Sequence, residues 1–175
     1  MESYSARVRN SVIYWEDKNL VIENAVICFD TNFAGEPTSI NPSGGKRVFT
    51  VALSEEVADD LIEGGWNIKK RPPYEEGDDV LCTTEIVVAA DSKYPPSIYI
   101  CNPDNNKLTR IPVESFGELD RMRFDNVDLI IHPYVHNRPS SPYTTKGYLQ
   151  RMVVTPQRRN SFRGKYSGYS VDDEN

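Results

Sequence analysis

The 175-residue chain is 38% apolar and 10% aromatic, enough to bury a core rather than stay disordered. No run of about 18 apolar residues exists, which excludes a membrane-spanning helix, and the first residues lack the apolar stretch of a secretory leader. The formal net charge is -6, and the three cysteines, Cys28, Cys82 and Cys101, are odd in number and widely spaced. That usage suits reduced thiols in a cytoplasm and gives no zinc pattern.

Residues 1–17 are polar apart from 12–15 and read as a flexible N-terminal arm. Residues 20–29, LVIENAVICF, are rich in β-branched side chains and predict a strand. A loop over 30–37 and the Gly44-Gly45 turn lead into a second strand, KRVFTVAL at 46–53, with good alternation. Residues 54–63, SEEVADDLIE, are the convincing helix. The Ser54 hydroxyl is placed to cap a first-turn amide, and Glu55 and Glu56 complement the helix dipole. Val57, Ala58, Leu61 and Ile62 share one helical face, and Gly64-Gly65 supplies the stop.

Residues 66–71 run into Pro72-Pro73 and an acidic loop over 75–79. A third strand covers 80–90. The segments 97–101 and 107–111 flank an Asn- and Pro-containing turn and form a hairpin. Residues 113–122 hold a short helix or turn. A strand at 126–131 leads through residues 132–138 and a polar turn over 139–145 to a return strand at 146–155. Residues 157–175 read as a flexible tail with an acidic tip. The predicted architecture is mainly β: a five-stranded, closed antiparallel barrel of the oligonucleotide-binding (OB-fold-like) kind over 18–156, with one short inserted helix, because closure removes exposed sheet edges. An open α+β sheet is the alternative.

Chemistry-bearing motifs are sparse. His132 and His136 are four apart, but on a strand that spacing separates them by about 13 Å, too far for one ion. Asp78 and Asp79, with Glu75 and Glu76, sit between prolines and a glycine and read as a solvated loop. No phosphate-cradling glycine motif and no nucleophile elbow occurs. The expectation is therefore a protein that is not an enzyme and needs no metal or cofactor.

Charge is unevenly distributed. Residues 120–169 hold nine Lys/Arg against three Asp/Glu, net +6, so the remainder carries -12. Aromatic side chains are interleaved with the cations. The candidate nucleic-acid-binding residues are Trp66, Lys69, Lys70, Arg71, Tyr99, Arg110, Tyr134, Arg138, Tyr148 and Arg151. Rings stack bases, at about 1–3 kcal/mol each, and cations neutralise phosphates. Asp172, Asp173 and Glu174 form an acidic tip suited to docking on basic partner proteins.

Three segments carry a family likeness: LIEGGWNIK at 61–69, VDLIIHPY at 127–134 and KGYLQRMVV at 146–154. With the acidic tip, they make the chain resemble phage-encoded single-stranded DNA-binding proteins of the OB-fold type. The turn PSSPYTT at 139–145 departs from that family, as does the absence of a terminal Phe in the tip. The resemblance implies sequence-tolerant binding of single-stranded DNA in phage replication or recombination, within the host cytoplasm. It also implies replication or recombination proteins as partners of the tip, and leaves a homo-oligomer open. The alternative from another class is a phage structural or host-interaction (anti-defence) protein whose acidic two-thirds bind a protein rather than DNA. A metal-dependent nuclease built on Asp78 and Asp79 ranks last.

Overall fold

Alternation of apolar residues builds most of the molecule. In the computed structural model, which describes residues 3–73, 77, 79–137 and 139–157, ten strands join in one mixed sheet. In chain order the elements are α1 (Tyr4–Arg7), β1 (Val12–Glu16), β2 (Asn19–Glu23), β3 (Val26–Asn32), β4 (Val48–Leu53), α2 (Glu55–Glu63) and β5 (Ile68–Arg71). There follow β6 (Leu81–Val87), β7 (Ser97–Cys101), β8 (Leu108–Arg110), β9 (Phe124–Val135) and β10 (Thr145–Pro156). A 3-10 turn, Val8–Asn10, follows α1, and a longer one, Val113–Arg121, precedes β9.

The sheet order is β1-β2-β9-β10-β6-β4-β3, with β5 also on β6 and the β7–β8 hairpin on β10. This corrects the expectation of five wholly antiparallel strands. Strand β10 is twelve residues long and runs parallel to two neighbours, β6 at Gly147 and Tyr148 and β7 at residues 151–154. The expected strand over 20–29 is two strands. Asn24 takes a left-handed φ of 56° between them, so β2 pairs with β9 while β3 turns to pair with β4. The bend is held to β9: the Ala25 amide donates to the Val127 carbonyl at 2.7 Å, and the Asn24 amide to Asp128 Oδ1 at 2.9 Å.

The main core collects one face of these strands, including Leu20, Ile22, Phe49, Val51, Leu53, Ile86, Leu129, Ile131, Leu149 and Met152. Helix α2 covers one side of it and begins as predicted, with the Ser54 hydroxyl accepting the Val57 amide at 3.3 Å. Ala58 and Leu61 are buried, but Ile62 is 44% exposed, so the apolar stripe is narrower than its spacing implied.

Residues 1–17, expected as a flexible arm, instead fold onto the sheet across their described part. Val8 is buried with Val26, Cys28 and Ala52 in a second small cluster, flanked by Tyr4 and Leu81, and β1 pairs with β2. A one-turn helix and a five-residue edge strand leave too short a pattern for periodicity to reveal. Strand β5 was also missed, because the Lys-Lys-Arg in IKKR hides a segment whose strand form comes from pairing with β6. The tail expectation falls outside the described residues from position 158 onward, which includes Asp172, Asp173 and Glu174.

Candidate nucleic-acid interface

The site is built on the β9–β10 hairpin, whose two faces follow from side-chain alternation. Val127, Leu129 and Ile131 of β9 and Gly147, Leu149, Met152 and Val154 of β10 are buried. Between them, Ile130, His132 and Tyr134 of β9 and Lys146 and Tyr148 of β10 point the other way. A register shift makes Gln150 an extra residue: Leu149 faces Ile131, and Arg151 faces Ile130. Without that bulge Arg151 would continue the inward series 147, 149, 151. The bulge turns it outward and lets Met152 enter the core.

Trp66 departs from its expected role. Only 4% of it is exposed, and its ring lies in the core. The six-membered ring of its indole sits where a side chain at Gly147 would be: a Cβ there would come within 2.6 Å of Trp66 Cζ3 and 2.9 Å of Ile131 Cγ2. The end of α2 is stitched to the same place. The Gly65 carbonyl accepts the Thr144 and Thr145 amides at 3.0 and 3.2 Å, and the Thr145 hydroxyl donates to the Gly64 carbonyl at 2.7 Å. Gly65 needs its φ of +88° and its missing side chain, because Thr144 Oγ1 occupies the Cβ position. The GGW and KGY segments are thus two halves of one packing motif, and Trp66 has no free face to offer a base.

The outer face keeps most of the remaining candidates together. Tyr134 is 54% exposed, and its ring lies 5.7 Å from that of half-buried Tyr148 at an interplanar angle of 61°. Lys146 is directly opposite Tyr134, and His132 opposite Tyr148. Farther along, the Arg151 guanidinium lies 5.6 Å from the centre of the Tyr99 ring, and Tyr99 pairs across β7–β8 with exposed Arg110. A polar chain of Gln150, Asn19 and His132 spans the same face, with contacts of 3.0 and 2.9 Å. Arg138 lies outside the described residues.

Strand β5 divides its three cations. Lys70 pairs with core residue Cys82, so it points to the α2 side. There its ammonium meets Asp59 at 2.6 Å and Glu55 at 3.4 Å, and the hydrogen bond to Asp59 raises its pKa above the ordinary lysine value. Lys69 and Arg71 point to the opposite, outer side. With Lys146, Thr50 and Glu85 they line a cleft of about 150 Å³ beside the hairpin. Lys46 pairs with Glu85 of this rim at 3.3 Å.

Sequence reasoning overlooked Lys146, which lines this surface, and Phe29, whose ring lies under the Arg71 guanidinium. Lys146 was legible, since it alternates with Tyr148. Phe29 was not, because it ends a run that reads as a buried strand. It is 47% exposed, in a left-handed conformation with φ of 62°, within an irregular stretch of β3. A bulky residue there is strained by about 1–3 kcal/mol.

The other chemical candidates do not converge. His132 is exposed, whereas both ring nitrogens of His136 are buried without a partner among the described residues. Asp79 accepts the Arg9 guanidinium at 2.8 Å, and Asp78 is outside the described residues. No cluster of three metal-ligating side chains occurs among the described residues. Burial pushes the Cys28 thiol up to about 12, against a smaller opposing pull from Arg7 and Arg71, so it is not a nucleophile near neutral pH.

Comparison with solved structures places this arrangement among known folds. The single-stranded DNA-binding protein from bacteriophage Enc34 in complex with ssDNA superposes with a TM-score of 0.53 at 11% identity, covering 87% of this chain and 93% of that one. The same phage protein described without DNA gives a TM-score of 0.49 at 10% identity, covering 90% and 99%. No curated protein sequence matches the chain. A family model described as "Putative phage ssDNA-binding domain" matches residues 9–172, nearly the whole length, and the chain belongs to that family.

Proposed function

We propose that the protein binds single-stranded DNA without sequence preference, on the outer face of β9–β10 and its neighbours. The observation that carries this reading is the outward cluster of Tyr134, Tyr148, Lys146 and Arg151. Two tyrosines stand beside two cations on a rigid hairpin, with Tyr99 and Arg110 extending the surface on one side and Lys69 and Arg71 on the other. Stacking is sequence-tolerant because every base has a π face, and the cations track the phosphates. A binding role without catalysis accounts for all of these residues.

The strand pairings support a closed five-stranded barrel within the larger sheet. Strands β2 and β3 read as halves of one bent strand, from which pairing passes through β4, β6, β10 and β9 and returns to β2. Such a barrel presents an oligonucleotide-binding face of the OB kind. On this reading residues 18–156 are the binding domain and α1 with β1 buttresses it. The tip residues Asp172, Asp173 and Glu174 recruit basic replication or recombination proteins in the host cytoplasm.

A fluorescence titration with labelled oligo-dT at several salt concentrations tests the central claim. Saturable binding that weakens linearly in log salt is expected. No binding at low salt, or binding with no salt slope, overturns it. A stoichiometric protein partner recovered from nuclease-treated host lysate by a chain with no DNA affinity would instead favour the host-interaction reading.

A further inference from the structure

We propose that Phe29 is a further base-stacking residue, and that the bound strand runs from the hairpin tyrosines along the Lys69–Arg71 rim to reach it. This rests on the single-stranded DNA reading above and extends the path to a part of the molecule far from the closing hairpin in sequence.

Four observations converge on Phe29. The first is its backbone. The other described non-glycine residues with positive φ are Asp17, Lys18, Asn24 and Asn106, all polar. Glycine or Asn at position 29 would make the same bend at lower steric cost. The second is exposure: the residue is 47% exposed. The ring touches Tyr4 and Arg71 and leaves the rest of the side chain open to solvent.

The third is how the ring is held. Its amide donates to the Tyr4 hydroxyl at 3.2 Å, and the Tyr4 ring meets it at 5.5 Å and 78°. The Arg71 guanidinium lies 5.0 Å from the ring centre, and among the described residues no carboxylate pairs with Arg71. An aromatic face beside a guanidinium is the pairing that receives a base and its phosphate together.

The fourth is location. Arg71 also lines the cleft beside the hairpin with Lys69 and Lys146, so Phe29 stands at the end of that cationic rim. Phe29 also lines a broader polar cleft of about 660 Å³, where Arg7 and Arg123 stand among Asp30, Asp120 and Asp125. The ring is the aromatic post between the two, where a strand leaving the first would pass into the second.

The test uses the full chain and oligo-dT of two lengths, about 4 and about 16 nucleotides, the range one such barrel engages. Phe29→Leu keeps apolar bulk without a π face. Phe29→Gly removes the ring and relieves the backbone. Both variants should bind the long oligonucleotide about 5- to 140-fold more weakly than the parent, and the short one nearly as well. Phe29→Trp should retain long-oligonucleotide binding. Thermal melts should show Phe29→Gly at least as stable as the parent, because glycine adopts this φ freely. Parent-like affinity of a folded Phe29→Gly for the long oligonucleotide would overturn the assignment while leaving the DNA reading intact. Equal losses on both lengths with a lowered melting temperature would mark structural damage and overturn it as well. A parent chain that binds neither oligonucleotide would overturn both readings.

Discussion

On the inner face of β9 and β10, Ile131 and Gly147 close around the Trp66 ring. Three residues along β9 and one along β10, on the outer face, Tyr134 and Tyr148 meet each other and solvent. The same two strands therefore meet two different constraints. Inside, volume is set to within a methyl group: a Cβ at Gly147 would lie 2.6 Å from the indole. Outside, shape is loose and chemistry matters, with flat rings and positive charge spaced along a rigid ribbon. Stability should respond to changes on the inner face and affinity to changes on the outer face.

The sharpest way to break this contrast is Trp66→Ala. Emptying the indole site should cost about 3–5 kcal/mol of stability, read from urea unfolding. Affinity for oligo-dT, corrected for the folded fraction, should hardly change. A variant of near-parental stability with lost affinity would return Trp66 to the DNA. Gly147→Ala tests the same packing from the other side. The added methyl has nowhere to go, and overpacking should cost about 1–3 kcal/mol, again without a specific loss of affinity. On the outer face the response should invert. Tyr134→Ala and Tyr148→Ala should each weaken oligo-dT binding by about 1–3 kcal/mol, with Tyr134→Ala leaving stability within about 0.5 kcal/mol. Comparable unfolding losses at Tyr134 and Trp66 would erase the distinction.

These residues also show what a sequence can disclose. Strands whose apolar positions alternate over six or more residues were legible, as was α2, whose cap, acidic first turn and Gly-Gly stop agree. The pairing of Trp66 with Gly147 was not, although both lie in segments that carry the family likeness. Trp66 precedes three cations and so looks like part of a binding surface. Only the fold shows that the ring fills the gap left by a glycine 81 positions away. Arg151 illustrates the opposite case. Simple alternation from Gly147 and Leu149 would bury it, and the extra residue Gln150 brings it to the outer face. A bulge is a tertiary decision with weak local signal, because what it satisfies is the packing of Met152 and Val154 beyond it. Phe29 was hidden for a related reason: the run 20–29 reads as one buried strand, whereas the bend at Asn24 and the irregularity after Cys28 are set by strands β9 and β4.

The smallest expected effect separates neighbouring lysines of β5. Lys69 and Lys70 are adjacent in sequence and both are exposed, so composition treats them as equals. The strand sends them to opposite sides. Lys70 is held by Asp59 and Glu55 on α2, so its charge is already matched. Lys69 lines the cleft with Arg71 and Lys146. Each phosphate contact on a single strand contributes about 0.7 to the slope of log affinity against log salt. Lys69→Ala should therefore flatten that slope by about 0.7, whereas Lys70→Ala should leave it unchanged. The measurement is an oligo-dT titration of both variants over the same salt series. Equal slope changes would mean that the strand passes over α2 as well as over the outer face, and the division of labour between the two sides of β5 would fail.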